Sequence, residues 1–193
     1  MFHFEMEIKS CPDVYSPGED SILLAEEINP NPDDRVLDVG TGTGFLALKA
    51  AKRAKYVLAM DINEKAVECA RTNAELNGLD NIQVLKSDLF ERVEGTFELI
   101  LFNPPYLPTE PWEPVDDYAL SWDGGGDGRK VINRFLDEVS NYLAPGGRII
   151  TLGSSLSDYN KTIEILEEKY FDVNVLSRKK LDFEELVVIS AFL

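Results

Sequence analysis

The chain has 193 residues, 44% apolar and 28% charged, with a formal net charge of −16. That length suits one domain with a sizeable core, and no apolar run reaches the roughly 20 residues needed to cross a bilayer. So acidic a balance argues against broad binding to nucleic-acid backbones, which requires a basic surface; the local "SRKK" at 177–180 reads as a solvated turn.

The opening "MFHFEMEIKS" lacks the basic start and apolar stretch of a secretion signal, so a cytoplasmic location is expected. The two cysteines, Cys11 and Cys69, form no CxxC pair, which argues against a zinc site or a disulfide framework. Both are expected as reduced thiols. His3 is the only histidine and lies near the terminus, which excludes a Ser-His-Asp triad or a histidine-ligated metal. No metal site is expected.

Apolar runs then alternate with helical patterns. "RVLDVG" (35–40) reads as a buried strand ending in glycine, and "GFLALKAAKRA" (44–54) as a helix. "YVLAMD" (56–61) is a second strand. "NEKAVECARTNAELNG" (63–78) is a helix with Asn63 as N-cap and Gly78 at its C-terminal end. "NIQVLKSD" (81–88) and "FELILFN" (97–103) are the third and fourth strands. "RKVINRFLDEVSNYL" (129–143) places Val131, Ile132, Phe135, Leu136, Val139 and Leu143 on one helical face. A strand over 146–153, a helix over 158–170 and strands over 171–178 and 186–193 complete the chain. Such alternation predicts an α/β fold with a mostly parallel sheet covered on both faces. The last two strands are joined too closely for a crossover helix, so they should run antiparallel. Ligands in such sheets bind beyond the carboxyl ends of the strands.

The unusual residues gather at those ends. "LDVGTGTG" places Asp38 at the end of the first strand, followed by Gly40, Gly42 and Gly44. Phe45 stands where a dinucleotide fingerprint needs its third glycine, and the Gly-Lys-Ser/Thr of a P-loop is absent. Asp61 ends the second strand, where an acid can accept both hydroxyls of a ribose. Asp88 ends the third, where it could accept from an adenine amino group. Three carboxylates would repel a pyrophosphate and attract a cationic sulfonium, so the pocket suits S-adenosylmethionine.

The fourth strand ends in Asn103-Pro104-Pro105-Tyr106. Prolines have no N–H and fix φ, leaving carbonyl acceptors on a stiff loop. The Asn103 oxygen and the Pro104 carbonyl can each accept one N–H of a planar amino or amide group, with Tyr106 stacked on its plane. An amide nitrogen is a poor nucleophile because its lone pair is delocalised. Two aligned acceptors favour the pyramidal nitrogen and aim its lone pair, so catalysis is orientation and electrostatics without a strong base.

With these residues the chain resembles class I S-adenosylmethionine-dependent methyltransferases. Together with "VYSPGEDS" (14–21) and "LSWDGGGDGRKVINRFL" (120–136), it resembles the short archaeal and eukaryotic branch of the HemK-type family, which methylates the glutamine N5 of the Gly-Gly-Gln motif in class I release factors. The resemblance implies a Rossmann-like domain over 1–193 with a seven-stranded, mostly parallel sheet and one antiparallel strand. Residues 1–34 would cover the cofactor site, and 107–128 would form a substrate loop. It implies a cofactor site of Pro17, Asp38, Gly40, Thr41, Gly42, Gly44, Asp61, Ile62, Asp88, Leu89 and Asn103. Catalysis would fall to Asn103, Pro104 and Tyr106, with Pro105 and Trp122 also meeting the substrate. Ser16 and Glu19 would border the mouth with Pro17, and Gly124 and Gly125 would shape the loop over it. Relatives of this branch work with a small zinc-binding activator protein, expected here along an edge strand at 81–87.

Two rivals stand beside this reading. A nucleic-acid adenine or guanine N-methyltransferase shares the Asn-Pro-Pro-Tyr motif, but should show a basic groove or a target-recognition domain. A silent scaffold that binds a translation factor would have no need to keep Asp38, Asp61 and the motif together. Lysine as acceptor would require a base, and none is evident.

Overall fold

The computed structural model describes residues 5–110, 112 and 118–193, with the backbone of 2–3. The expectations for His3 and for 111 and 113–117 of the substrate loop lie outside the described residues. A small hairpin, β1 (Phe2–His3) and β2 (Met6–Glu7), precedes α1 (Glu19–Glu26). There follow β3 (Arg35–Val39), α2 (Phe45–Ala51), β4 (Tyr56–Asp61), α3 (Glu64–Leu76), β5 (Ile82–Lys86), β6 (Phe97–Phe102) and α4 (Lys130–Glu138). β7 (Leu143–Ser154), α5 (Tyr159–Glu168), β8 (Asp172–Lys180) and β9 (Glu185–Phe192) complete the chain.

Strands β3 to β9 form one sheet in the order β5-β4-β3-β6-β7-β9-β8. All pairs are parallel except those of β9, which runs antiparallel to both β7 and β8. Only residues 181–184 separate β8 from β9, so the pair is a hairpin. Leu99, Ile100 and Leu101 of β6 are fully buried because apolar clusters cover both faces of the sheet. One cluster joins α1 and α2 to the sheet, and the other joins α4 and α5. No helix among the described residues is long and apolar enough to cross a membrane.

Three expectations are corrected. The helix expected over 129–143 stops at Glu138, continues as a 3₁₀ turn over Val139–Tyr142, and gives way to β7. Leu143, expected on the helical face, pairs with Phe97 in the sheet instead. The "SRKK" at 177–180, expected as a solvated turn, forms the end of β8. Finally, Cys11 and Cys69 are joined in a disulfide rather than held as free thiols. The N-terminal segment runs along α3, which brings together two cysteines 58 positions apart. Asn73 and Asn77 of α3 hold the same segment by its backbone. Their side-chain oxygens accept from the N–H of Lys9 and Glu7, and their amide groups donate to the carbonyls of the same two residues, at 2.8–3.1 Å.

Candidate active site

The first wall of the site is the turn between β3 and α2. Its backbone is tied to the end of β4: Thr41 N donates to the Met60 carbonyl, and Gly42 N to Asp61 Oδ2, both at 2.9 Å. Asp61 Oδ1 accepts from Asn63 N at 2.9 Å. The side chain of Asn63 caps α3 by accepting from Lys65 N. Gly44 has φ +85°, and a Cβ there would lie 3.2 Å from the Ala70 backbone, so glycine is what lets α2 start against α3.

Asp38 stands behind this turn. It is fully buried, and its Oδ2 accepts from Thr41 Oγ1 at 2.6 Å and from Ala47 N at 3.1 Å. Burial, only partly offset by those two hydrogen bonds, pushes its carboxyl up to about 7. Asp38 therefore braces the glycine turn and the first turn of α2.

In front of the turn lies a cleft of about 420 Å³ over the carboxyl ends of the parallel strands. Asp61, Ile62, Asp88 and Leu89 border it, with Gly40, Thr41, Gly42 and Pro17. Burial raises the Asp61 carboxyl above its ordinary value, and the N–H groups of Asn63 and Gly42 act against that. Asp88 is paired with Arg134 Nη2 at 3.0 Å, so its charge is partly neutralised.

The far wall is the end of β6. Asn103, the buried Pro104, Pro105 and Tyr106 all border the cleft. Asn103 Nδ2 donates to Asp20 Oδ2 at 2.9 Å and to Ser21 Oγ at 3.3 Å, whereas its buried Oδ1 has no partner. Burial first, then the negative charges of Asp20 and Glu184, raises the Tyr106 phenol above its ordinary value, so it stays neutral. The segment after the motif is zipped to the loop that carries Trp122. Leu107 N donates to the Trp122 carbonyl at 3.0 Å, and Gly124 N to the Leu107 carbonyl at 2.9 Å. Asp123 accepts from Thr109 Oγ1 and Gly125 N, which holds its carboxyl below the usual range, the Thr109 bond contributing most. Gly128 has φ +71°, and any Cβ there would overlap the Tyr106 carbonyl oxygen.

The structure thus brings most of the expected site residues to one cleft. Six of the expected positions do not border it. Asp38 and Gly44 lie behind the turn. Ser16 bonds Ser10 on the surface, and Glu19 pairs with Lys179 at 3.4 Å, because the first turn of α1 directs Glu19 outward. Gly124 and Gly125 are consumed in the backbone zipper that supports Trp122. Sequence reasoning missed Tyr15, Asp20 and Ser21, all of which border the cleft. The spacing of Asp20 to Leu23 and Leu24 along α1 places it on the buried face and could have flagged it.

The reversed β9 in an otherwise parallel sheet, with a glycine turn and a strand-end acid bordering the cleft, defines a class I methyltransferase, a fold of S-adenosylmethionine-dependent enzymes. Residues 5–112 match the family model described as methyltransferase small domain. The chain belongs to that family, among its HemK-type members. It is 46% identical over 189 residues to a Methanocaldococcus jannaschii protein with the provisional name protein N5-glutamine methyltransferase, covering 97% of this chain and 95% of that one. It is 41% identical over 135 residues to the release factor glutamine methyltransferase of Deinococcus radiodurans, covering 66% of this chain and 48% of that protein. Human methyltransferase HEMK2 is 31% identical over 183 residues, covering 87% of this chain and 84% of its own length. Among solved structures, a chain of the E. cuniculi Mtq2–Trm112 complex, responsible for methylation of the termination factor eRF1, superposes with a TM-score of 0.74 at 28% identity, covering 93% of this chain and 98% of that one.

Proposed function

We propose that the protein methylates the side-chain amide nitrogen of the glutamine in the Gly-Gly-Gln motif of a class I release factor, in the cytoplasm, with S-adenosylmethionine as donor. The observation that carries the reading is the acceptor-only wall at the end of β6. Asn103 holds a buried, unpartnered oxygen at this wall, and the two prolines that follow have no N–H to offer. A neutral primary amide has two N–H groups to give such a wall. The names of the relatives from M. jannaschii and D. radiodurans support the same acceptor.

The donor set of the cleft fits the cofactor. Each Asp61 oxygen holds one backbone N–H and keeps acceptor capacity for a ribose hydroxyl. Gly40, Thr41 and Gly42 line the space beside it, with Ile62, Leu89 and Phe102 as apolar walls. Bound there, S-adenosylmethionine supplies an electrophilic methyl group. The chain's own residues do the rest. Asn103 Oδ1 and the Pro104 carbonyl accept the two amide hydrogens, and Tyr106 and Trp122 shield the acceptor group from water. As the nitrogen gains the methyl group and the sulfonium is left as a neutral thioether, positive charge develops on the nitrogen; the two oxygens stabilise it, and one of its protons is then lost to solvent.

Asp61→Ala is expected to weaken cofactor binding by about 1.5–3 kcal/mol, the range for hydrogen bonds to a charged group. Isothermal titration calorimetry checks this; an unchanged affinity would remove Asp61 from the cofactor site. The acceptor is tested by transfer from labelled cofactor to a purified class I release factor, to its Gln→Ala variant and to DNA. Label on the wild-type factor alone is expected, and label on DNA would overturn the assignment.

The partner reading follows from the sheet edge. Among the described residues strand β5 pairs only with β4, and Ile82, Val84 and Leu85 on it are half-buried. A small zinc-binding activator protein adding a strand there would cover them; the E. cuniculi neighbour was likewise solved as a complex, with Trm112. Val84→Pro, which removes an N–H directed away from β4, should abolish capture of the activator in a pull-down, and undiminished capture would count against this edge.

A further inference from the structure

An asparagine side chain has two faces of nearly the same shape. A half-turn of the amide exchanges an acceptor for two donors. The proposed clamp works only if Asn103 presents oxygen to the incoming nitrogen, so something must fix the sense of the amide. The surroundings of Asn103 contain one group able to do so. Asp20, on the first turn of α1, is 6% exposed, and an ionised carboxylate accepts hydrogen bonds but cannot donate them. Its Oδ2 takes one hydrogen of Asn103 Nδ2 at 2.9 Å. Ser21 Oγ takes the other at 3.3 Å while its own hydroxyl donates to Asp20 Oδ1, also at 3.3 Å. The Tyr15 hydroxyl donates to the same Oδ1 at 3.1 Å and completes the carboxylate's shell. Both donors of Asn103 are thereby consumed on the α1 side, and Oδ1 is left without a partner. In the flipped state Oδ1 would face the Asp20 carboxylate, acceptor against acceptor.

We infer that Asp20 is the positioning residue of the transfer reaction, and that it acts by locking the Asn103 amide with its oxygen toward the acceptor nitrogen. The inference rests on the reading of Asn103 as the amide clamp. It assigns a purpose to the acid of "PGEDS" that neighbouring Glu19, paired with Lys179 on the surface, does not share. Tyr15 and Ser21 hold Asp20 in turn.

The test is Asp20→Asn, which keeps the shape but can donate as well as accept, so both senses of the Asn103 amide become available. Single-turnover methylation of a recombinant class I release factor at saturating cofactor should slow at least tenfold. Cofactor affinity by calorimetry should stay within twofold, and Asp20→Glu should recover part of the rate. In the Asn103→Ala background, Asp20→Asn should cause no further loss. A rate above half of wild type, or the same fold loss with and without Asn103, overturns the proposal. A second measurement needs neither substrate nor variant. In the wild-type chain the side-chain NH₂ of Asn103 should be protected from solvent exchange by NMR, and an unprotected NH₂ overturns the lock even if Asp20→Asn fails to fold. Absence of transfer to the release factor with a protected NH₂ would instead fault the substrate reading and leave the lock standing.

Discussion

Asn103→Ala is expected to leave the chain folded and its cofactor affinity essentially unchanged, and to cut turnover by about 10²–10³-fold. The size follows from losing one preorganised polar contact in a transition state, about 2.7–4 kcal/mol. The fold should survive because Asp20, the buried partner of Asn103, keeps hydrogen bonds from Tyr15 and Ser21. The Asn103→Asp variant is more instructive. It retains an acceptor, but it sets a carboxylate against Asp20, where an amide NH₂ now donates at 2.9 Å. Like charges at that distance repel strongly in a buried site, so little rescue is expected. Tyr106→Phe should be mild, because the Tyr106 phenol is held neutral and its ring does the stacking. The check is single-turnover methylation with saturating cofactor. If Asn103→Ala keeps more than about half the wild-type rate, against the loss of 10²–10³ expected, the motif is only a turn.

The second large effect is on stability. Phe135 of α4 is 1% exposed, and its ring stacks on Phe102, the last residue of β6, with centroids 4.2 Å apart. It also meets Phe90 at 5.7 Å, and Phe90 stacks on Tyr142 at 4.4 Å. Phe135→Ala removes the centre of this stack and leaves a cavity, for which about 3–5 kcal/mol is expected. Urea unfolding should show a lower midpoint with an unchanged slope. Because Phe102 immediately precedes Asn103, the variant should also turn over more slowly under conditions where it remains folded. A loss below about 1 kcal/mol, well under the range for buried aromatics, would mean that α4 does not anchor the end of β6.

The sheet was legible because its signals are local. The continuous apolar run of β6 and the eight-residue β9 are too short and too apolar for surface helices. The cleft was legible for the same reason, since Asp61 ends β4, Asn103 directly follows β6 and Asp88 lies two residues past β5. Helix α1 was harder to read, because Asp20 and Ser21 on its buried face are polar and leave only the spacing to Leu23 and Leu24 as a signal. The place of Asp38 was hidden by the pleat. A strand-end acid reads identically whether its side chain turns to the cleft or, as here, back toward α2. The disulfide was hidden because it depends on where the N-terminal segment crosses α3, which no spacing in the sequence reveals.

Strand β6 has three strands on either side of it. The proposed clamp is therefore mounted at the centre of the sheet, whereas β5, the proposed partner edge, lies at its margin. Chemistry and recognition are mechanically decoupled in such a layout. Descendants of one ancestor can rewrite the rim to greet a different macromolecule and inherit the transfer geometry intact, and an engineer seeking a new acceptor protein should graft at the rim and leave the hub alone.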